Sequence, residues 1–221
     1  MKNPFEIKVC GINDQSSMDA AINNGVNYIG LVFYNRSPRN LSITCAKSLI
    51  NNRTKISKIV ALTVNPDDYF LSEIKKNIKP DYFQLHGEET PNRCENIRNK
   101  FKIPIIKGIG IKRGIDLNYF IKPYEEVCDI LILDAPSNEL PGGNGKKFNW
   151  EVLKKFKSQK KWMLAGGLNI KNISEAINIA TPPGIDISSG LEIEKGVKDP
   201  QLINEFVTKC RSLYRINNVR N

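Results

Sequence analysis

Short apolar runs rich in Ile, Val and Leu recur along the chain, separated by longer segments whose apolar positions fall at helical spacing. Continuous apolar runs of this length suit strands buried on both faces, and their alternation with helical segments predicts βαβ units and a parallel sheet. The runs place strands near Glu6 to Cys10, Tyr28 to Phe33, Ile59 to Val64, Tyr82 to Leu85, Ile103 to Lys107, Ile130 to Leu133, Trp162 to Leu164 and Ile185 to Ile187. Asn65-Pro66, Thr90-Pro91 and Asp199-Pro200 each set a capping side chain before a proline, the arrangement that opens a helix. After Asn169, the residues Ile173, Ala176, Ile177 and Ala180 form one stripe able to cover a sheet, and Gly25 suits a left-handed helix end.

An open doubly wound sheet would use the same units, but the grouping of polar residues at strand ends favours a closed (β/α)8 TIM barrel. A chain of 221 residues that is 40% apolar can bury one large core, so a single domain over residues 1–221 is expected. The longest irregular stretch, Ala135 to Lys147, is rich in Pro and Gly and reads as a mobile loop.

The N-terminal run MKNPFEIKVCGI is broken by charge and proline, and the chain lacks the ~18 apolar residues that a membrane span needs. A cytoplasmic protein with no membrane partner is expected. Five cysteines, odd in number, widely spaced and without a Cys-x-x-Cys pair, predict reduced thiols rather than disulfides or a zinc cage. The formal charge of +10 raises nucleic-acid binding, yet the lysines lie in small groups such as Lys75-Lys76 and Lys160-Lys161 rather than on one segment. The reading is therefore a positive field that attracts a small anionic substrate, with no nucleic-acid partner.

In a barrel, chemistry sits at the C-terminal ends of strands. The strand ends carry Cys10, Arg36 and Arg39, His86, Asp134, the pair Gly166-Gly167, and Ser188-Ser189-Gly190. Loops after the seventh and eighth strands build phosphate sites in such barrels, so the glycines and serines are candidate phosphate ligands as well as candidates for plain tight turns. Cys10 could be a small hydrophobe or a reactive thiol, which would need a lowered pKa. Asp134 after ILIL is a carboxyl facing the site or a local cap, and Arg39 a bidentate carboxylate ligand or a solvated charge. His86, the only histidine, lacks the companions of a metal site or triad and reads as a polar substrate contact. The PGGNGKK segment does not match a Walker A loop.

Taken in order, KVCGI (8–12), GLVFYNRSPRNLS (30–42), QLHGEE (84–89), LILDA (131–135), PGGNGKKFNW (141–150), LAGGLN (164–169) and DISSGLE (186–192) resemble the phosphoribosylanthranilate isomerase family across nearly the whole chain. The resemblance implies a cofactor-free, metal-free Amadori rearrangement of N-(5-phosphoribosyl)anthranilate in tryptophan biosynthesis. By the same resemblance Cys10 is the general base and Asp134 the general acid. Arg39, or alternatively Arg36, would hold the anthranilate carboxylate, Asp186 would contact substrate, and Gly167, Ser188 and Ser189 would hold the phosphate. Helix surfaces leave both a monomer and a homodimer open. The rivals are another phosphate-binding barrel, an indole-glycerol-phosphate synthase or sugar-phosphate epimerase, whose lysine–glutamate or histidine sets do not stand at these strand ends.

Overall fold

The computed structural model describes residues 5–51, 57–111, 116–135 and 149–219. Eight parallel strands, β1 (Glu6–Cys10), β2 (Tyr28–Val32), β3 (Lys58–Thr63), β4 (Tyr82–Leu85), β5 (Ile105–Gly110), β6 (Ile130–Asp134), β7 (Lys161–Leu164) and β8 (Gly184–Ile187), pair in chain order into a closed barrel. Closure aligns Lys8 with Asp186 and Val9 with Ile187 across β1 and β8. The strand positions agree with the apolar runs. β5 starts at Ile105 rather than Ile103, because Pro104 has no N–H to give a ladder, and it runs on to Gly110.

Helices α1 (Gln15–Asn23), α2 (Ile43–Asn51), α3 (Asp68–Ile78), α4 (Pro91–Phe101), α5 (Leu117–Val127), α6 (Ile173–Ala180) and α7 (Pro200–Val219) surround the barrel. Among the described residues, the connection from β6 to β7 carries only a 3-10 turn, Trp150–Leu153. Most of the expected mobile loop, 136–147, lies outside the described residues, as do the Lys146 and Lys147 side chains.

Thr90 caps α4 with its hydroxyl 3.2 Å from the Arg93 N–H, and Asp199 accepts from the Gln201 N–H at the start of α7. The expected cap at Asn65-Pro66 is displaced by two residues. Asp67 caps α3, accepting from the Phe70 N–H at 2.7 Å, while Asn65 sits at φ 47° and its side chain accepts from the Glu88 N–H. Asn65 thus serves the loop after β4 rather than the helix. Gly25, at φ 63°, ends α1 with its N–H on the Ile22 carbonyl while Val26 N–H reaches Ala21, the left-handed stop anticipated there.

Alternation along the strands sorts the core into two compartments. Ile7, Val9, Ile29, Leu31, Phe83, Leu131 and Ile185 point outward and pack with the apolar stripes of the helices, including Ile173, Ala176, Ile177 and Ala180 of α6. Tyr28, Val60, Ile106, Ile130, Ile132 and Met163 fill the barrel, and above them Cys10, Val32 and Leu62 form an upper layer. A short antiparallel hairpin, β9 (Glu192–Glu194) and β10 (Val197–Lys198), follows β8 and leads into α7.

Candidate active site

Inward-facing positions at the C-terminal ends of the strands ring one cavity that opens to solvent. Cys10, Arg39, His86, Asp134, Asp186, Gly166, Gly167, Ser188 and Ser189 all line it. Arg36 is exposed and lies outside it. The thiol of β1 and the carboxyl of β6 therefore share a compartment, as the strand-end positions required.

Asp134 is held from two sides. Its Oδ1 accepts the Ala135 N–H at 2.7 Å, and its Oδ2 lies 3.4 Å from His86 Nε2. His86 Nδ1 in turn meets the Gln84 amide nitrogen at 3.0 Å. The ring has space because residue 108 is glycine: a Cβ there would fall 2.1 Å from His86 Nδ1. His86 thus touches the carboxyl directly as well as lining the cavity. Gln84 lines the same cavity, and its Oε1 is buried with no hydrogen-bond partner among the described residues.

The surroundings of Cys10 do not by themselves give the lowered pKa that a reactive thiol would need. Burial pushes the thiol up; the Lys8 ammonium opposes this and the Asp186 carboxylate adds to it. Lys8, fully buried two residues before Cys10 on the same face of β1, bonds Asp186 Oδ1 at 2.9 Å. Burial also raises the Asp186 carboxyl, with Lys8 pulling it back down.

The last two loops converge. Gly166 and Gly167 take φ of 88° and 62°, a left-handed run that favours glycine and can aim successive N–H groups one way. Asn172 donates to the Gly167 carbonyl at 2.8 Å, fixing that turn. Gly190 does not line the cavity. A Cβ at residue 190 would lie 1.9 Å from the Leu168 carbonyl oxygen, so this glycine lets the loop after β8 press onto the loop after β7. The Ser188 hydroxyl donates to the Cys10 carbonyl at 3.0 Å, tying the eighth strand's end to the first.

Arg39 reaches the cavity, but its fork is engaged by Glu192 on β9: Nε to Oε1 at 2.6 Å and Nη2 to Oε2 at 2.8 Å. Lys198 donates to Glu192 Oε1 at 2.8 Å and to the Ser188 carbonyl at 3.3 Å. Burial alone would raise the Glu192 carboxyl, yet Arg39 and then Lys198 bring it down to about 2. Lys8, Gln84, Gly108, Glu192 and Lys198 were not singled out from the sequence. Strand alternation, which sets Lys8 with Cys10 and Gln84 with His86, was the available signal for two of them.

Such a mouth places the chain among the (β/α)8-barrel enzymes. Residues 7–209 match the family model described as N-(5'phosphoribosyl)anthranilate (PRA) isomerase. An N-(5'-phosphoribosyl)anthranilate isomerase of Chelativorans sp. is 40% identical over 211 residues, covering 94% of this chain and 96% of that protein. That of Paramagnetospirillum magneticum is also 40% identical, covering 94% and 98%. Among solved structures, phosphoribosyl anthranilate isomerase from Thermotoga maritima superposes with a TM-score of 0.84 at 27% identity, covering 94% of this chain and 99% of that one. A phosphoribosyl anthranilate isomerase in complex with reduced 1-(o-carboxyphenylamino)-1-deoxyribulose 5-phosphate gives 0.79 at 26% identity, with 94% of this chain and 99% of that one covered.

The chain belongs to the N-(5'-phosphoribosyl)anthranilate isomerase family. Its activity is the isomerisation that this name states, a step of tryptophan biosynthesis, and the resemblance carried by the strand-end motifs is borne out.

Proposed function

We propose that Cys10 and Asp134 carry the isomerisation as a base and acid pair over a substrate anchored by its phosphate at the loops after β7 and β8. One observation carries this reading: thiol, carboxyl, paired glycines and paired serines border a single cavity. Asp134 protonates the furanose ring oxygen, and the anthranilate nitrogen pushes the ring open to an iminium ion. That cation acidifies the C2′ proton, which Cys10 removes as thiolate, and the enolamine relaxes to the ketone. Each step moves only protons and electron pairs, so neither a metal nor an organic cofactor is required.

His86, 3.4 Å from the acid, steadies Asp134, and the buried Gln84 Oε1 is placed to accept from a substrate hydroxyl. Gly166, Gly167, Ser188 and Ser189 present N–H groups to the phosphate, while the Ser188 hydroxyl donates to the Cys10 backbone carbonyl. Arg39 rather than Arg36 takes the anthranilate carboxylate, because Arg39 alone of the two reaches the cavity. Glu192 fixes the guanidinium plane and leaves Nη1 outside the two bonds given to it. Asp186 holds its place beneath the substrate through Lys8.

Both a dimeric form and monomers generated from it are described for the Thermotoga maritima enzyme. A monomer and a homodimer are both compatible with the residues proposed for the site. No described helix is long and apolar enough to cross a membrane, in keeping with a cytoplasmic enzyme acting on a small phosphorylated molecule.

The test follows the fluorescence of phosphoribosylanthranilate as the purified protein consumes it. Cys10→Ala is expected to lose about 10²- to 10⁴-fold in kcat, the range a general base contributes, with KM little changed. Near-parental kcat in that variant would remove Cys10 from the chemistry.

A further inference from the structure

Lysine is rarely buried without a reason, and a buried ion pair is often no more stabilising than apolar residues of the same volume. Lys8 is fully buried inside the barrel, one strand step below Cys10, with its ammonium 2.9 Å from Asp186 Oδ1. Beside them β2 carries Gly30. A Cβ at residue 30 would lie 2.9 Å from Cys10 Sγ and 3.1 Å from Lys8 Nζ, so the missing side chain leaves the space that sulfur and ammonium flank.

We propose that Lys8 is a positioning residue for the isomerisation: its ammonium, held by Asp186 and set beside the Cys10 sulfur in the space left by Gly30, governs ionisation of the thiol. The inference rests on Cys10 being the base. The charged groups facing that sulfur are Lys8 from β1, Asp186 from β8 and Lys198 from β10, while Asp134 and His86 face Asp186 from across the barrel. Lys8 and Lys198 favour the thiolate, whereas burial and Asp186 oppose it. Burial alone would lower the Lys8 ammonium, but Asp186 and Cys10 hold it above the ordinary lysine value, so it stays a cation when the thiol ionises.

A lysine that merely straps β1 to β8 would leave the thiol unmoved when replaced; a lysine that tunes it would not. In the first case Lys8→Met and Asp186→Asn both weaken the fold. In the second they shift Cys10 in opposite directions, since one removes the favourable charge and the other the unfavourable one.

The experiment measures the rate of iodoacetamide modification of Cys10 in the full-length protein at a series of pH values from about 6 upward, the rate at a fixed pH reporting the thiolate fraction, read by peptide mass so that the exposed Cys45 does not interfere. Lys8→Met should move the midpoint up by about one unit or more, making modification roughly tenfold slower near pH 8, and Lys8→Arg should restore most of the loss. Asp186→Asn should move the midpoint down. Shifts of the same sign, or none, overturn the proposal. Should Lys8→Met fail to fold, Lys8→Gln takes its place: a higher midpoint supports the proposal, and an unchanged or lower one overturns it. Because alkylation needs no turnover, its outcome is separate from that of Cys10→Ala, which tests the base assignment itself.

Discussion

At the scale of single residues the site is a set of charges each held by a neighbour. Asp134 has the Ala135 N–H on one oxygen and His86 near the other. Asp134→Asn keeps the shape but has no proton to give, so kcat should fall by about 10²- to 10⁴-fold, with ring opening as the step lost. An unchanged rate would pass the acid role to another group. Glu192 supplies a pH-dependent part of the stability. Its folded pKa, near 2, lies below the ordinary value of about 4.3, so its contribution is complete above that value and disappears as the pH falls through the folded one. Melting temperatures of the parent and Glu192→Gln should therefore differ most above about pH 5 and converge toward pH 2. A constant gap would mean that Arg39 and Lys198 do not hold this carboxylate.

Which of these residues were legible follows from where their partners lie. Cys10 and Asp134 stand at the ends of apolar runs, where a barrel puts its chemistry. Lys8 and Asp186 are 178 positions apart, and Arg39 and Glu192 are 153 apart, so neither pairing leaves a local mark on the sequence. Cys10 reads from its position as either a small hydrophobe or a reactive thiol, and burial moves its pKa away from what the second reading needs. A strand end among Val32 and Leu62 desolvates a thiol more than the strand-end position alone discloses.

Among elements, the loop after β4 shows how the scaffold aims a side chain. Lys107, outward on β5 and buried, donates to the carbonyls of Leu85 and Gly87 and to Glu89 Oε2, at 3.2, 2.7 and 2.9 Å. Glu89 in turn accepts the N–H groups of Asn65 and Gly87. His86 lies inside this clasp. Lys107→Met would leave Glu89 buried without its cation and is expected to cost about 3–5 kcal/mol in urea unfolding; a loss below about 1 kcal/mol would show that the backbone donors suffice. Gly108 acts on the same ring from the next strand. Gly108→Ala should displace His86 and lower kcat while leaving phosphate affinity unchanged, as checked by inhibition with inorganic phosphate. The strands, and the capping of α4 and α7, were readable from apolar runs and cap residues. The start of α3 was not, because Asn65 was recruited by the β4 loop and Asp67 took its place.

For the whole molecule, barrel closure brings β1 against β8 and β6 within reach of both across one mouth. The closed order could not be told from an open sheet by counting strands; the placement of polar groups on one rim decided it. The loops after β7 and β8 meet through Gly190, and a negative charge there should act against the phosphate. Ser188→Asp is expected to raise KM by at least about tenfold through like-charge repulsion, with an unchanged KM contradicting the anchor.

The most direct test of the two-group account is single-turnover fluorescence, with enzyme in saturating excess over substrate, for Cys10→Ala, Asp134→Asn and the double variant. Each single variant should bind substrate and convert it about 10²- to 10⁴-fold more slowly, with the double variant far less impaired than the product of the two, as groups acting on one bound molecule require. Parental conversion by either single variant would contradict it.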